Sequence, residues 1–151
     1  MTTESINQLP PITEGIFSAA SHDNPLPRLI GGYCRKCQRH FFPRPQYCPV
    51  CLRAPDEVIL ESTGTIYSFT VVRTKPPFGL PRPYSIGYVD LDSTGLRVFC
   101  LLDPNSIEHF RVGLPVELAV AAIGHDARGA SCLRPYFKPR NTTNGNALSK
   151  K

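Results

Sequence analysis

The sequence predicts a mainly β protein in which a small metal-holding ribbon precedes a five-stranded barrel. Three observations lead there. Four of the six Cys fall in two C-x2-C pairs, Cys34 with Cys37 and Cys48 with Cys51. Between Glu61 and Phe137 lie five runs rich in Val, Ile, Tyr, Phe and Thr, separated by Gly, Pro and Asp. Apolar residues make up 41% of the 151 and charged residues 19%, enough for a real core in one domain or two small ones.

Taken in order, residues 1–28 are polar and Pro-bearing, with a short helix expected around Glu14–Ala20. Residues 29–55 hold both Cys pairs and form the expected ribbon. Residues 56–139 form the barrel, with strands expected at Gly64–Thr74, Tyr84–Leu91, Leu96–Leu102, Val116–Ile123 and Cys132–Phe137. Asp92-Ser93-Thr94-Gly95 is a hairpin turn, with Gly95 free to take positive φ. Asp103-Pro104-Asn105-Ser106 opens a helical turn through Phe110, which Gly113-Leu114-Pro115 closes. Three strands in a meander, a helical connection and two more strands is the order of an OB-type barrel. Runs such as Ile66, Tyr67, Phe69, Val71 and Val72 are apolar on both faces, so something is expected to cover the outside: the N-terminal segment, the Cys segment or a partner. Tyr67, Phe69, Tyr88 and Phe99 stand among aliphatic residues and acids and read as core. Residues 140–151 are polar, lack a core-facing pattern and are expected to be a flexible tail.

The strongest chemical signal is metal binding. In C-x2-C-x10-C-x2-C each pair offers two thiolates one ligand spacing apart, and ten residues suffice for a hairpin that joins the pairs around tetrahedral Zn²⁺. Cys34, Cys37, Cys48 and Cys51 are the expected ligands of one structural zinc. A compact, rubredoxin-like knuckle is indicated, and iron takes the same four-thiolate set. Four Cys leave no open position for a catalytic metal. The spacer residues His40, Phe41, Phe42, Pro43, Pro45 and Tyr47 fill the unit, His40 as a surface or packing residue.

Charge follows the metal site. Lys and Arg number 17 against 12 Asp and Glu, a formal +5. Six of those cations (Arg28, Arg35, Lys36, Arg39, Arg44, Arg53) lie between Arg28 and Arg53, a stretch around the Cys pairs with no acid; the rest of the chain is close to neutral. Four thiolates with one Zn²⁺ carry −2, which brings the chain to about +3. The residual positive surface suits the phosphates of a coenzyme or an acidic protein face better than a nucleic-acid track.

Nucleotide-binding and hydrolase motifs are absent from the sequence. Cys100 and Cys132 stand singly in strands and read as small buried hydrophobes. Asp90 and Asp92 read as turn-capping carboxylates, and His22, His109 and His125 have no motif around them. The loop Lys75-Pro-Pro-Phe-Gly-Leu-Pro-Arg-Pro83 is stiffened by Pro and presents Phe78 between Lys75 and Arg82. It reads either as a rigid packed turn or as a pre-ordered contact surface. The N-terminus lacks the basic start and apolar stretch of a secretory signal. Val116–Ile123 is far short of the ~20 residues of a spanning helix, so a cytoplasmic location is expected.

Two function classes fit these residues. One is a single-stranded nucleic-acid binder. The other is a non-catalytic subunit that docks on an enzyme, favoured by the two-sided apolar strands, the stiff loop and the lack of a catalytic constellation.

Gly32-Tyr-Cys-Arg-Lys-Cys37, Phe42-Pro-Arg-Pro-Gln-Tyr-Cys48-Pro-Val-Cys51, Ser62-Thr-Gly-Thr-Ile-Tyr-Ser-Phe-Thr-Val-Val72, Gly113-Leu-Pro-Val116 and Pro135-Tyr-Phe-Lys-Pro139 occur together. In that combination the chain resembles the acyl-CoA-associated family that joins a rubredoxin-like zinc ribbon to an OB-fold, over roughly residues 14–140. The resemblance implies a zinc-containing accessory subunit of a thiolase-superfamily enzyme. Such a subunit helps to form or cover the acyl-CoA site while the partner does the chemistry, in one branch on acyl-CoAs derived from toluene. It implies contacts to partner or acyl-CoA from the Thr74–Pro83 loop, with Lys75, Phe78 and Arg82. Gln38 and Leu52 depart from the family pattern, in which Gly often follows each Cys pair; changed knuckle turns are expected there.

Overall fold

The structure, a computed structural model, describes residues 9–18, 22–23 and 25–141. The first sheet contains β1 (Phe17–Ser18), β2 (Arg28–Cys34), β3 (Arg39–Phe41) and β4 (Asp56–Ile59). β2 lies in the middle: its start pairs with β1, one edge of its end with β3 and the other with β4, all antiparallel. Gly31 is required by close approach here, since a Cβ would stand 2.6 Å from the Phe41 carbonyl oxygen and 2.8 Å from Leu60 Cδ1.

β5 (Thr63–Val72), β6 (Tyr84–Leu91), β7 (Arg97–Leu102), β8 (Pro115–His125) and β9 (Ser131–Pro139) close a barrel in the order β5-β6-β7-β9-β8. All contacts around it are antiparallel except β7 with β9, which run parallel over two residue pairs. The meander, the connection and the last two strands follow the expected order. Observed strand ends differ from the expected runs by at most two residues. The connection contains a single 3-10 turn, Ile107–His109. At the β6–β7 hairpin Gly95 takes φ 70°, and its N–H reaches the Leu91 carbonyl at 2.9 Å.

Alternation along the strands fills the barrel. Ile66, Val89, Val98, Leu102, Val116, Leu118 and Phe137 are at most 1% exposed, and Leu29 and Leu60 from the first sheet join the same cluster. Ribbon and barrel therefore share one core. The Ser62 hydroxyl donates to the Pro27 carbonyl at 2.9 Å, and the Leu60 N–H to Leu29 at 2.9 Å.

The expected helix at Glu14–Ala20 is not formed in its described part. Gly15 turns the chain at φ 74°, then Phe17 and Ser18 pair with Leu29 and Arg28. A seven-residue helix is too short to hold by itself, and strand pairing lets Phe17 pack against the core. Ala19 and Ala20 lie outside the described residues, as do residues 142–151 of the expected tail. Arg140 at its start is tied down: its N–H donates to the Pro115 carbonyl at 3.0 Å.

Cover on the barrel is partial. The N-terminal segment runs beside β9, exchanging Ile12 N–H to Leu133 C=O (2.9 Å) and Leu133 N–H to Pro10 C=O (2.8 Å). Ile12, Ile16 and Phe42 wall an apolar cleft of about 250 Å³ against Leu101 and Pro135. Both the N-terminal segment and the Cys segment thus supply the outside cover expected from the two-sided strands.

Candidate functional site

β2 ends at Cys34 and β3 begins at Arg39, so the first Cys pair occupies the turn between two paired strands. The second pair, Cys48 and Cys51, lies in the loop that leads to β4. The four sulfurs fall within 4.8 Å of one another. Cys34 Sγ is 3.5 Å from Cys51 Sγ, and Cys37 Sγ is 3.9 Å from Cys48 Sγ. Thiolates about 2.3 Å from a tetrahedral Zn²⁺ stand about 3.8 Å apart, so the set fits that ion. Cys34 and Cys48 are buried.

The backbone prepares one of the four, Cys48, for charge. Amide N–H groups of Cys51 and Val50 point at the Cys48 sulfur and hold its thiol down at about 6. Cys37 is pushed up to about 12, by loss of water contact and by the crowd of neighbouring thiols. A divalent cation removes that conflict, because a coordinating thiol is deprotonated outright.

The ribbon's cations do not all face the sulfurs. Arg35 Nε donates to Asp56 at 2.6 Å, and Arg44 donates to the Pro55 carbonyl at 3.1 and 2.9 Å, with Glu57 at 3.5 Å. Acids on β4, just beyond the acid-free stretch, compensate part of its charge. His40 packs at a tilt against Tyr33 across β2 and β3, with ring centroids 4.7 Å apart, a packing role.

The β5–β6 loop is docked on the end of the β8–β9 hairpin. The His125 N–H donates to the Phe78 carbonyl at 2.8 Å, and the two rings meet edge-on at 6.3 Å. The Arg134 guanidinium lies 5.8 Å from the Phe78 ring centroid. Phe78 remains 47% exposed. Lys75 is exposed, and Arg82, also exposed, donates to the Arg73 carbonyl at 2.8 Å. The loop is a packed turn and a presented surface at once.

Three residues read as core are at the surface. Tyr67 is 50%, Tyr88 43% and Phe99 55% exposed; of that group Phe69 alone packs against the core. Tyr88 and Phe99 face each other across β6 and β7, on the outward side, while Val89 and Val98 point in. Tyr67 points outward by alternation with the buried Ile66, and a bulge between Ile66 and Ser68 then turns Phe69 back toward the core. The parity of Tyr88 against Val89 was a readable signal; the bulge was not. Asp90 serves Arg97 rather than the turn, accepting at 2.7 and 3.0 Å. Asp92 lies in the turn, 3.9 Å from Arg140. Cys132 is buried, and half-buried Cys100 donates weakly to the Gly87 carbonyl, its thiol pushed up by burial.

Comparison with known proteins matches residues 25–57 to the rubredoxin-like zinc ribbon domain of ChsH2 and residues 57–121 to its C-terminal OB-fold domain. The chain belongs to the ChsH2 family. Among curated relatives it is 34% identical to the benzoylsuccinyl-CoA thiolase subunit BbsA of Thauera aromatica, over 79% of this chain and 81% of that one. It is 32% identical to a DUF35 domain-containing scaffold protein of Pyrococcus furiosus, over 74% and 83%. Among solved structures it resembles the Ltp2-ChsH2(DUF35) aldolase at a TM-score of 0.58 and 27% identity, covering 74% of this chain and 84% of that one. Membership in the ChsH2 family, with its zinc ribbon domain, and four clustered Cys together support a structural zinc. Zinc has no redox chemistry and all four positions are filled by protein, so the ion would hold the two knuckles together. Among the described residues no helix is long and apolar enough to cross a membrane.

Proposed function

We propose that this chain is the zinc-containing accessory subunit of a thiolase-superfamily enzyme, working in the cytoplasm and doing no chemistry by itself. The likeness to a benzoylsuccinyl-CoA thiolase subunit along four-fifths of both chains carries this reading. The scaffold relative and the aldolase named for ChsH2 point the same way. The catalytic partner supplies the reacting groups for C–C bond cleavage or formation. This chain helps to form or cover its acyl-CoA site, with an aromatic acyl group of the kind toluene degradation yields as the candidate substrate.

The Thr74–Pro83 loop is the proposed contact to acyl-CoA or partner. Phe78 offers an exposed ring held in place by His125 and Arg134, and Lys75 and Arg82 offer cations for phosphate groups. Their fixed loop lowers the ordering cost of a contact.

The test is co-expression with a thiolase-family protein from the same genome, followed by size-exclusion chromatography and thiolysis assays. One shared peak, with activity that needs both chains, is the expected result. Two separate peaks with full activity in the thiolase alone would sink the proposal. Salt-sensitive binding to an oligonucleotide would instead favour the nucleic-acid class.

A further inference from the structure

Alternation and register place Tyr67, Tyr88, Arg97 and Phe99 together on the outward side of β5–β6–β7. Tyr88 and Phe99 are cross-strand neighbours with ring centroids 5.2 Å apart. The Arg97 guanidinium carbon lies over the Tyr67 ring, 3.3 Å from its centroid, and Asp90 holds the guanidinium there. The Tyr88 and Phe99 rings line, with Ser68, Thr70 and Ile86, a shallow groove of about 180 Å³. The N-terminal segment and ribbon cover the barrel at β9 and reach the Ile86 and Leu101 end of this face, and among the described residues the part around Tyr67, Tyr88 and Arg97 stays open.

We infer that this face is the surface on which the catalytic partner docks. The inference rests on the accessory-subunit reading above and adds where the subunit binds. Three properties select a protein as occupant. Tyr and Arg are the residues that anchor protein interfaces, and here their positions are fixed before binding. Arg97 and Asp90 satisfy each other, so the face can be buried without stranding a charge. The remaining outward positions of the three strands (Thr65, Ser68, Thr70, Val72, Tyr84, Ile86, Leu101) carry no charge, so the face is net neutral. A polyanion needs unpaired cations beside the rings, and Arg97 is already committed. The scaffold and subunit relatives favour a different chain over a second copy.

The test uses the full chain and the co-expressed thiolase-family partner. Tyr88→Glu and Phe99→Glu change exposed side chains, so zinc content and melting temperature should stay at wild-type values. Both are expected to weaken partner binding about tenfold or more in a titration. Val112→Glu, exposed in the loop before β8, should bind as wild type does. If the two face variants bind with unchanged affinity, the docking face is elsewhere and the accessory reading survives. If the wild-type chain itself fails to bind, that reading falls and this inference with it. Light scattering that shows a wild-type dimer split by Tyr88→Glu would make a second copy the occupant and overturn the inference. Oligonucleotide binding lost in Tyr88→Glu would overturn it as well.

Discussion

Gln38 and Leu52 occupy equivalent points of two separate turns. Each follows a C-x2-C pair, each takes a left-handed φ (54° and 64°), and each sends its N–H back to the first Cys carbonyl, at 2.7 Å to Cys34 and 2.8 Å to Cys48. The knuckle turns keep the backbone that glycine would take, contrary to the change expected from the missing glycines. The geometry of four ligands outweighs the local preference of two residues, and the strain is borne by side-chain-bearing residues.

Replacing either residue by glycine should therefore stabilise the ribbon. The left-handed penalty is about 1 kcal/mol, offset in part by the greater freedom of glycine in the unfolded chain. Leu52→Gly is the cleaner case, since Leu52 is 73% exposed and loses little packing. A rise of a few degrees in melting temperature is expected; a fall in both variants would show that the turns are unstrained.

Metal analysis should return about one zinc per chain, and chelation should unfold the ribbon. Cys48→Ala removes a buried ligand and leaves three thiolates without a closed shell. Loss of zinc, together with lost amide protection at Gly31 and Tyr33, is the expected outcome. A chain that keeps its melting profile after zinc removal would contradict a structural role for the ion.

Glu61 gives the fold a pH dependence. Burial pushes its carboxyl up, but the amides of Thr94 and Ser93 and the Thr94 hydroxyl donate to it at 2.7, 2.8 and 3.1 Å and hold it below its ordinary 4.5. A carboxyl depressed by folding contributes its stability above the unfolded value and loses it as pH falls through the folded one. Stability should therefore drop below about pH 4.5 in wild type, and less steeply in Glu61→Gln. At neutral pH that variant should lose about 1 kcal/mol, allowing for solvent screening at this half-exposed site. Parallel acid titrations of the two proteins by circular dichroism check both outcomes.

Arg134 pins the end of the β8–β9 hairpin. Its guanidinium donates to the Ile123 and His125 carbonyls at 2.6 and 3.0 Å, across an irregularity in pairing between Ala122 and His125. It also underlies the exposed Phe78 ring. Arg134→Ala should cost about 1–3 kcal/mol by leaving those carbonyls unpartnered. Amide exchange should quicken at His125, whose N–H is held by the Phe78 carbonyl, and unchanged exchange there would refute the coupling of hairpin and loop.

The sequence by itself determined the metal centre, the strand order of the barrel and the two-module plan, because each is written in local spacing. Ligands two residues apart declare a knuckle, and apolar runs between Gly and Pro declare strands. Tertiary structure alone decided what depends on neighbours distant in the chain. Phe17 became a strand residue because Leu29 offered an edge, where a seven-residue segment by itself reads as helix. Tyr67, Tyr88 and Phe99 became surface because the barrel's closure set which side of each strand is inside, while a bulge after Ile66 returned Phe69 to the core. Composition cannot distinguish an aromatic in the core from one facing a partner, since both stand beside aliphatic residues. Alternation with Val89 marks Tyr88 as outward, but only the register of three strands brings the three rings onto one face.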